Sequence, residues 1–344
     1  MKFKYGELFC GPGGMSLGAH QASFKQGATK HSIVHEWASD IDQNSCNTFI
    51  HNICPNKPES VFCSDVNDLS IRKNSRCLSP IDIFGYGFPC NDFSLVGEQK
   101  GFLGNFGPLY SYGLKVMNAY NPKAFVAENV SGISSANSYE AFKKIILDLE
   151  NCGNGYDVSF QKYKAEEYGV PQSRHRIVIV GIRKDLKKTF IHPKPTHIGK
   201  FINSRTALEE PPISDEAFNN IQSVIRPLTI ERLNHIKPGQ NVWNADLPEH
   251  LKLNVKGATL SQIYKRLDPN KPSYTITGSG GGGTHCYHYK EPRPLTNTER
   301  ARLQTFPDNF EFKGGYSSVR KQIGMAVPPK LAKIVFNALL RQLV

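Results

Sequence analysis

The sequence predicts an α/β fold in which a mainly parallel sheet carries helices on both faces and is joined to a smaller, irregular second domain. Three observations lead there. Short apolar runs alternate with helical periodicity through the first half of the 344 residues. After about Leu186 the alternation stops and prolines crowd the chain (Pro193, Pro195, Pro211, Pro212, Pro227, Pro238, Pro248). Residues 327–343 then return to an amphipathic helical pattern with basic residues on the polar face. Parallel neighbours need long crossovers, usually helices, so alternation of this kind implies a parallel sheet.

The elements follow in order. Tyr5–Phe9 is the first apolar run, followed by a glycine-rich turn and a helical stretch through about Phe24. Ser32–Ser39 predicts a second strand ending at Asp40, with a helix through about His51. Ser60–Ser64 predicts a short third strand before Asp65, and Ile81–Tyr86 a fourth that runs into Gly87-Phe88-Pro89-Cys90. Ala124–Ala127 is a fifth, ending at Glu128; residues 136–149 are helical by apolar spacing, and Asp157–Tyr163 and Ile177–Ile182 add two more strands. The domains expected are 1–185, an irregular 186–319, and a helix in 320–344 that returns to the first. Ligands of such sheets bind beyond the carboxyl ends of the strands, where the conspicuous motifs fall.

Composition narrows the function. The net charge is +12, but residues 1–185 hold 19 basic and 18 acidic residues, 186–319 hold 18 and 12, and 320–344 hold 5 and none. The excess therefore lies late in the chain and suits a polyanionic partner. No apolar run reads as a membrane span. Met1–Gly6 leads into a strand rather than a secretory signal, so a cytoplasmic location is expected. None of the eight cysteines forms a C-x-x-C pair, which fits reduced thiols. His285, Cys286 and His288 lack a second ligand pair at zinc spacing, so no metal is expected.

The motifs carry the chemistry. Glu7-Leu8-Phe9-Cys10-Gly11-Pro12-Gly13-Gly14 joins the first strand to the first helix with a turn that lets backbone approach a ligand. Alone, it suits a nicotinamide enzyme equally well. Asp40 can accept from the hydroxyls of an adenosine ribose, and Asp65 from the adenine amino group. An isolated aspartate at such a place is usually a helix cap, but acids at successive strand ends favour a nucleoside site. Pro89 restricts the backbone before Cys90 and fixes where the thiol points. Residues 91–108 mix four glycines with Phe93, Phe102, Phe106 and Leu103, as an active-site lid would. Glu128 ends an apolar strand, where a carboxyl is desolvated and protonates more readily. Arg174 and Arg176 sit on alternate positions before the last strand and are expected to face the same way, toward a base or a phosphate.

These residues resemble the cytosine-5 DNA methyltransferases of bacterial restriction–modification systems. The resemblance spans nearly all the chain outside roughly residues 190–265. It rests on Leu8-Phe9 with the following glycines, Phe88-Pro89-Cys90, Glu128-Asn129-Val130 and Gln172-x-Arg174-x-Arg176. Later come Arg293-Pro294-Leu295-Thr296, Glu299-x-x-Arg302-Leu303-Gln304-Thr305-Phe306-Pro307 and Gly324-Met325-Ala326-Val327-Pro328-Pro329. It implies a Rossmann-like methyltransferase sheet, a small target-recognition domain, and S-adenosyl-L-methionine as cofactor. The cofactor is then expected among Phe9, Gly11, Gly13, Gly14, Asp40, Ile41, Asp65, Val66, Phe88, Pro89, Met325 and Ala326. Cys90 would attack C6 of a flipped cytosine, Glu128 would stabilise the protonated N3, and Arg174, with Arg176 nearby, would hold the base. Double-stranded DNA is the implied partner, bound by a monomer with a cognate endonuclease in the same system. Three positions depart from the family pattern: Glu7 stands for Asp, Asp40 for Glu, and Met325 for Asn. Other readings are a tRNA cytosine-5 methyltransferase and a catalytically silent DNA-binding regulator. The hundred or so residues between Arg176 and Arg293 favour DNA, and intact Cys90, Glu128 and Arg174 favour catalysis.

Overall fold

A computed structural model describes residues 1–71, 78–88, 109–134, 139–254, 260–278, 280 and 283–344. Pro89, Cys90 and the expected lid at 91–108 lie outside the described residues. The chain divides into two units. One holds 1–164, 175–195 and 327–344; the other holds 165–174 and 196–326.

The first unit is a sheet with helices on it. Its strands are β1 (Lys2–Leu8), β2 (Ser23–Gln26), β3 (Thr29–Asp40), β4 (Val61–Cys63), β5 (Ile83–Tyr86), β6 (Ala124–Val130), β7 (Tyr156–Lys164) and, beyond the two-residue β8 (Gln172–Ser173) of the other unit, β9 (His175–Arg183). The order is β2-β3-β1-β5-β6-β9-β7, with β4 pairing on β3. Pairings among β4, β3, β1, β5 and β6 are parallel, whereas β2, β9 and β7 join antiparallel. The sheet is thus mixed and mostly parallel. Only ten residues separate β7 from β9, too few for a parallel crossover. The expected helix through Phe24 stops at Gln21; Ser23–Gln26 turns at Gly27 (φ 57°) and pairs with β3 instead.

Four helices of this unit are α1 (Gly14–Gln21), α2 (Gln43–Ile53), α3 (Tyr110–Tyr120) and α4 (Tyr139–Asn151). Leu8, Phe84, Tyr86, Phe125, Ile177 and Ile179 of the sheet bury against Val116, Met117, Phe142, Ile145 and Leu149 of α3 and α4. Each such side chain contributes about 1.5–3 kcal/mol on burial. Cys10, Ala38, Cys46, Phe49 and Val61 form a smaller cluster under α2.

The second unit has few regular elements: α5 (Ser204–Glu209), α6 (Pro227–His235), β10 (Ser273–Tyr274) paired parallel with β8, α7 (Asn297–Leu303) and α8 (Tyr316–Met325). The expected boundary at 185 therefore misses the excursion 165–174, which enters this unit through a single 3-10 turn and the Gln172↔Ser273 pairing. The expected returning helix, 320–344, is likewise two elements. α8 ends at Met325 in the second unit, and α9 (Pro329–Leu343) belongs to the first. Tyr316–Leu343 has the length and composition of a membrane span. The helix is broken between Met325 and Pro329, and Leu331, Ala332, Val335, Phe336, Leu339 and Leu340 of α9 are buried in protein. Gly18 of α1 lets α9 approach closely, since a Cβ there would lie 2.5 Å from that of Ala332.

Candidate active site

The acids predicted at the strand ends do gather along one edge. β1 ends at Leu8, and Phe9 follows with φ 55°, a left-handed backbone that an aromatic residue rarely adopts. It is held there because the Cys10 amide donates to the Ser39 carbonyl at 3.0 Å and the Gly11 amide to Asp40 Oδ2 at 2.8 Å. Gly11 and Gly13 are left-handed too, at φ 52° and 96°. No side chain caps α1 at Gly13, and within its first turn the Ser16 amide is taken by the Glu7 carboxylate. Glu7 is fully buried and accepts from Ser16 Oγ at 2.5 Å, which ties β1 to the first turn of α1. Burial pushes its carboxyl up to about 8, against the pull of Ser16.

Asp40 closes β3. Its second oxygen accepts from the Asp42 amide at 2.9 Å, while Asp42 itself caps α2 through the Ser45 amide. Burial raises the Asp40 carboxyl above its usual range, and the two backbone donors oppose that rise. Between them Ile41 is 69% exposed, an apolar face left open among the described residues. Asp65 follows β4 and accepts from the Asn67 amide and side chain at 2.8 and 2.7 Å; Val66 is buried. A Cβ at Gly11 would meet nothing within 4 Å. An open glycine turn, an exposed aliphatic surface and carboxylates at neighbouring strand ends fit a nucleoside cofactor.

Further along the same edge, Glu128 stands near the end of β6. The antiparallel strand β9 begins beside it, pairing Arg176 with Val130. Arg176 Nε meets Glu128 Oε1 at 2.7 Å, and both side chains are nearly buried, 12% and 13% exposed. The sequence predicted a desolvated carboxyl here but not its cation. A Cβ at Gly87 would lie 3.6 Å from Glu128 Oε2, so the chain leaving β5 passes close to this carboxylate. Asn129 fixes that passage by donating to the Phe88 carbonyl at 3.2 Å. The sequence motif contains Asn129 without showing that it positions the neighbouring strand end; a polar residue directly after a strand-end acid is the available signal.

Arg174 requires a correction. β8 stops at Ser173 and β9 starts at His175, so the two arginines do not share one strand. Arg174 is 2% exposed within the second unit, where Nη1 donates to the Ile276 carbonyl at 3.1 Å and Nη2 to those of Gly324 and Ala326 at 3.0 Å each. Of the two, Arg176 is the one beside Glu128. Met325 and Ala326 also belong to the second unit; Met325 is exposed and Ala326 buried. Within the late motif, Thr296 and Glu299 form a capping box on α7, and Glu299 receives Arg293 bidentately at 2.8 Å.

A largely parallel sheet whose acids collect at one edge, beside a glycine turn, is the framework of a Rossmann-like methyltransferase. A profile of the C-5 cytosine-specific DNA methylase family matches residues 3–341, and the chain belongs to that family. It is 55% identical to the Type II methyltransferase M.BbvI of Brevibacillus brevis, over 99% of this chain and 91% of the relative. It is 42% identical to the Type II methyltransferase M.NgoFVII of Neisseria gonorrhoeae, over 94% and 82%. Among solved structures it matches one described as a prophage-encoded DNA modification methyltransferase of E. coli, with TM-score 0.72, 24% identity and 99% of both chains covered. The methyltransferase EhMeth of Entamoeba histolytica matches with TM-score 0.66 at 14% identity, covering 100% of this chain and 99% of that one. The protein transfers a methyl group from S-adenosyl-L-methionine to carbon 5 of cytosine in DNA.

Proposed function

We propose that Cys90 is the nucleophile and that Glu128 and Arg176 form the polar pocket for the base. The observation that carries this is the buried Glu128–Arg176 ion pair, whose carboxylate lies beside Gly87 of the segment that precedes Cys90 in sequence. Cys90 adds as thiolate to C6 of a cytosine rotated out of the duplex. Glu128 accepts hydrogen bonds from N3–H and the 4-amino group, which favours addition. Arg176 orients Glu128 and directs positive charge toward O2. Arg174 acts through the carbonyls it holds and is a positioning residue. Asp40 takes the ribose hydroxyls, Ile41 packs on the adenine, and Asp65 accepts from its amino group. Phe9, Gly11, Gly13, Gly14, Val66, Phe88 and Pro89 form the rest of that wall. The bound cofactor supplies a methyl on a sulfonium; its transfer to C5 is then largely a matter of positioning. Loss of the C5 proton lets Cys90 leave.

The substrate is a specific sequence in double-stranded DNA, chosen by residues of the second unit. The enzyme is the modification half of a restriction–modification system, acting as a monomer in the cytoplasm beside a cognate endonuclease. The names of the relatives, all methyltransferases, support this reading. Duplex DNA with 5-fluorocytosine at the target tests the mechanism, because fluorine cannot leave as a cation. The enzyme should remain attached through Cys90 after denaturing electrophoresis, and only when the cofactor is present. Cys90→Ala should form no adduct and no product. A crosslink mapped to another cysteine would overturn the assignment.

A further inference from the structure

Arg300, on α7, lies inside the second unit with 1% of its surface exposed. Its Nε donates to the Leu295 carbonyl at 3.3 Å, while Nη2 is buried with no partner. Arg320 of α8 and the imidazole of His285 are within electrostatic reach of it and each other. Arg320 Nε and His285 Nδ1 are buried and unpartnered as well. Arg320 Nη2 donates to the Gly280 carbonyl at 3.3 Å, and Gly280 packs against the guanidinium so closely that a Cβ would lie 2.8 Å from it.

No carboxylate among the described residues pairs with Arg300 or Arg320, although Arg176, Arg183, Arg293 and Arg302 each hold one. The nearest acid in sequence, Glu299, is spent on Arg293 and the Thr296 amide. Burying a guanidinium without a counter-charge is costly, and a second one beside it adds repulsion. The fork of N–H donors on each arginine matches a phosphate. The neutral imidazole of His285, pushed down to about 4 by burial and both arginines, adds a hydrogen-bonding atom without more charge.

We propose that Arg300, Arg320 and His285 form a binding site for one phosphodiester of the DNA backbone, beside the side-chain-free backbone of Gly280. This deepens the assignment of DNA as substrate and rests on it. Neutralising one phosphate contact lowers the slope of log affinity against log salt by about 1 and weakens binding of all sequences alike.

The test uses the full chain and fluorescence anisotropy on mixed-sequence duplexes over a range of potassium chloride concentrations. Arg320→Gln should lower the slope by about 1 relative to the native protein, and Arg320→Lys should restore most of it. Cofactor affinity should be unchanged. Arg300→Gln should do the same where it folds; Arg320, half-buried at the margin of the cluster, keeps the test decisive where it does not. An unchanged slope in Arg320→Gln would overturn the proposal. If inorganic phosphate alone stabilised the native protein and not Arg320→Gln, while the DNA slope stayed constant, the site would serve free phosphate instead. A native protein that bound no duplex would sink the DNA assignment itself, and the proposal with it.

Discussion

In the first unit the sheet's amides and carbonyls pair with one another, whereas in the second, arginine side chains take up carbonyls that no strand reaches. Arg174 donates to three. Arg266 donates to four, those of Leu233, Ile236, His288 and Tyr289, at 2.6–3.1 Å. Gln172 and Gln304 add further donors to Leu303 and Ile323. Buried backbone groups must be paired somewhere, and a loop-rich unit recruits side chains for it. A buried arginine thus signals different things in the two units. In the first, Arg176 faces a carboxylate at the reacting edge; in the second, Arg174 replaces a missing strand. Arg300 and Arg320 each hold one carbonyl and yet leave a further donor buried and unpartnered among the described residues.

The sharpest way to break this contrast is to substitute two arginines that stand two residues apart. Arg176→Ala and Glu128→Gln should lower the methylation rate by about 10²–10⁴, the range of a lost acid–base or electrostatic contribution, and Glu128→Gln, which keeps an acceptor for Arg176, should leave unfolding nearly unchanged. Arg174→Ala should take a donor from three buried carbonyls, of which that of Ala326 keeps Gln304, and reduce stability by about 3 kcal/mol. Urea unfolding and label transfer on the same preparations separate the two. A stable but inactive Arg174→Ala, alongside an active Arg176→Ala, would reverse the roles assigned here.

A smaller effect is expected at the strand-end acids. Asp40→Ala should weaken S-adenosyl-L-methionine binding by about 10–100-fold, corresponding to hydrogen bonds to a charged group. Asp65→Ala should weaken it only a few-fold, because Asp65 already shares an oxygen with Asn67. Titration calorimetry that found both variants at native affinity would remove them from the cofactor wall.

These contrasts also mark where the sequence was readable. Strands β1, β3, β5 and β6 follow from local apolar runs, and their terminal residues Phe9, Asp40 and Glu128 follow with them. Helix α3 is hidden in the sequence because Tyr110–Tyr120 carries Gly113 in its first turn, and glycine weakens helical signals. The place of Arg176 depends on β9 running antiparallel to β6, which brings its start to the carboxyl end of its neighbour. No local pattern states that pairing, so the Arg176–Glu128 contact was hidden while each residue alone was conspicuous. Arg174 misled because alternation suggested a strand where the chain crosses between units.

Glu7 offers a test confined to the first unit. Its carboxyl titrates at about 8 in the folded protein and near 4.5 unfolded. Between those values the folded chain keeps a proton that the unfolded chain has lost, so stability falls as pH rises, by about 1.4 kcal/mol per pH unit. The slope should vanish below about 4.5 and above about 8. Glu7→Gln keeps the shape and removes the titration. Its advantage over the native protein should therefore grow across that window when urea midpoints are compared. A native protein equally stable at both ends, measured against the variant, would contradict the buried carboxyl.

The smallest effect is expected at Met325, the position at which the family resemblance leads one to expect asparagine. Met325 ends α8 with two-thirds of its surface exposed, so its thioether contributes little packing. The backbone around it is fixed by other means: the Gly324 and Ala326 carbonyls are held by Arg174, and the Ala326 amide donates to Gln322. Replacing the side chain should therefore leave the local structure intact. A thioether accepts hydrogen bonds only weakly and donates none, while an amide does both. Met325→Asn should leave cofactor affinity unchanged or tighten it by at most a net hydrogen bond, about 0.5–1.5 kcal/mol. Calorimetry with S-adenosyl-L-methionine reads this directly. A clear loss of affinity in Met325→Asn, with native stability, would mean that the methionine side chain itself contributes to cofactor binding.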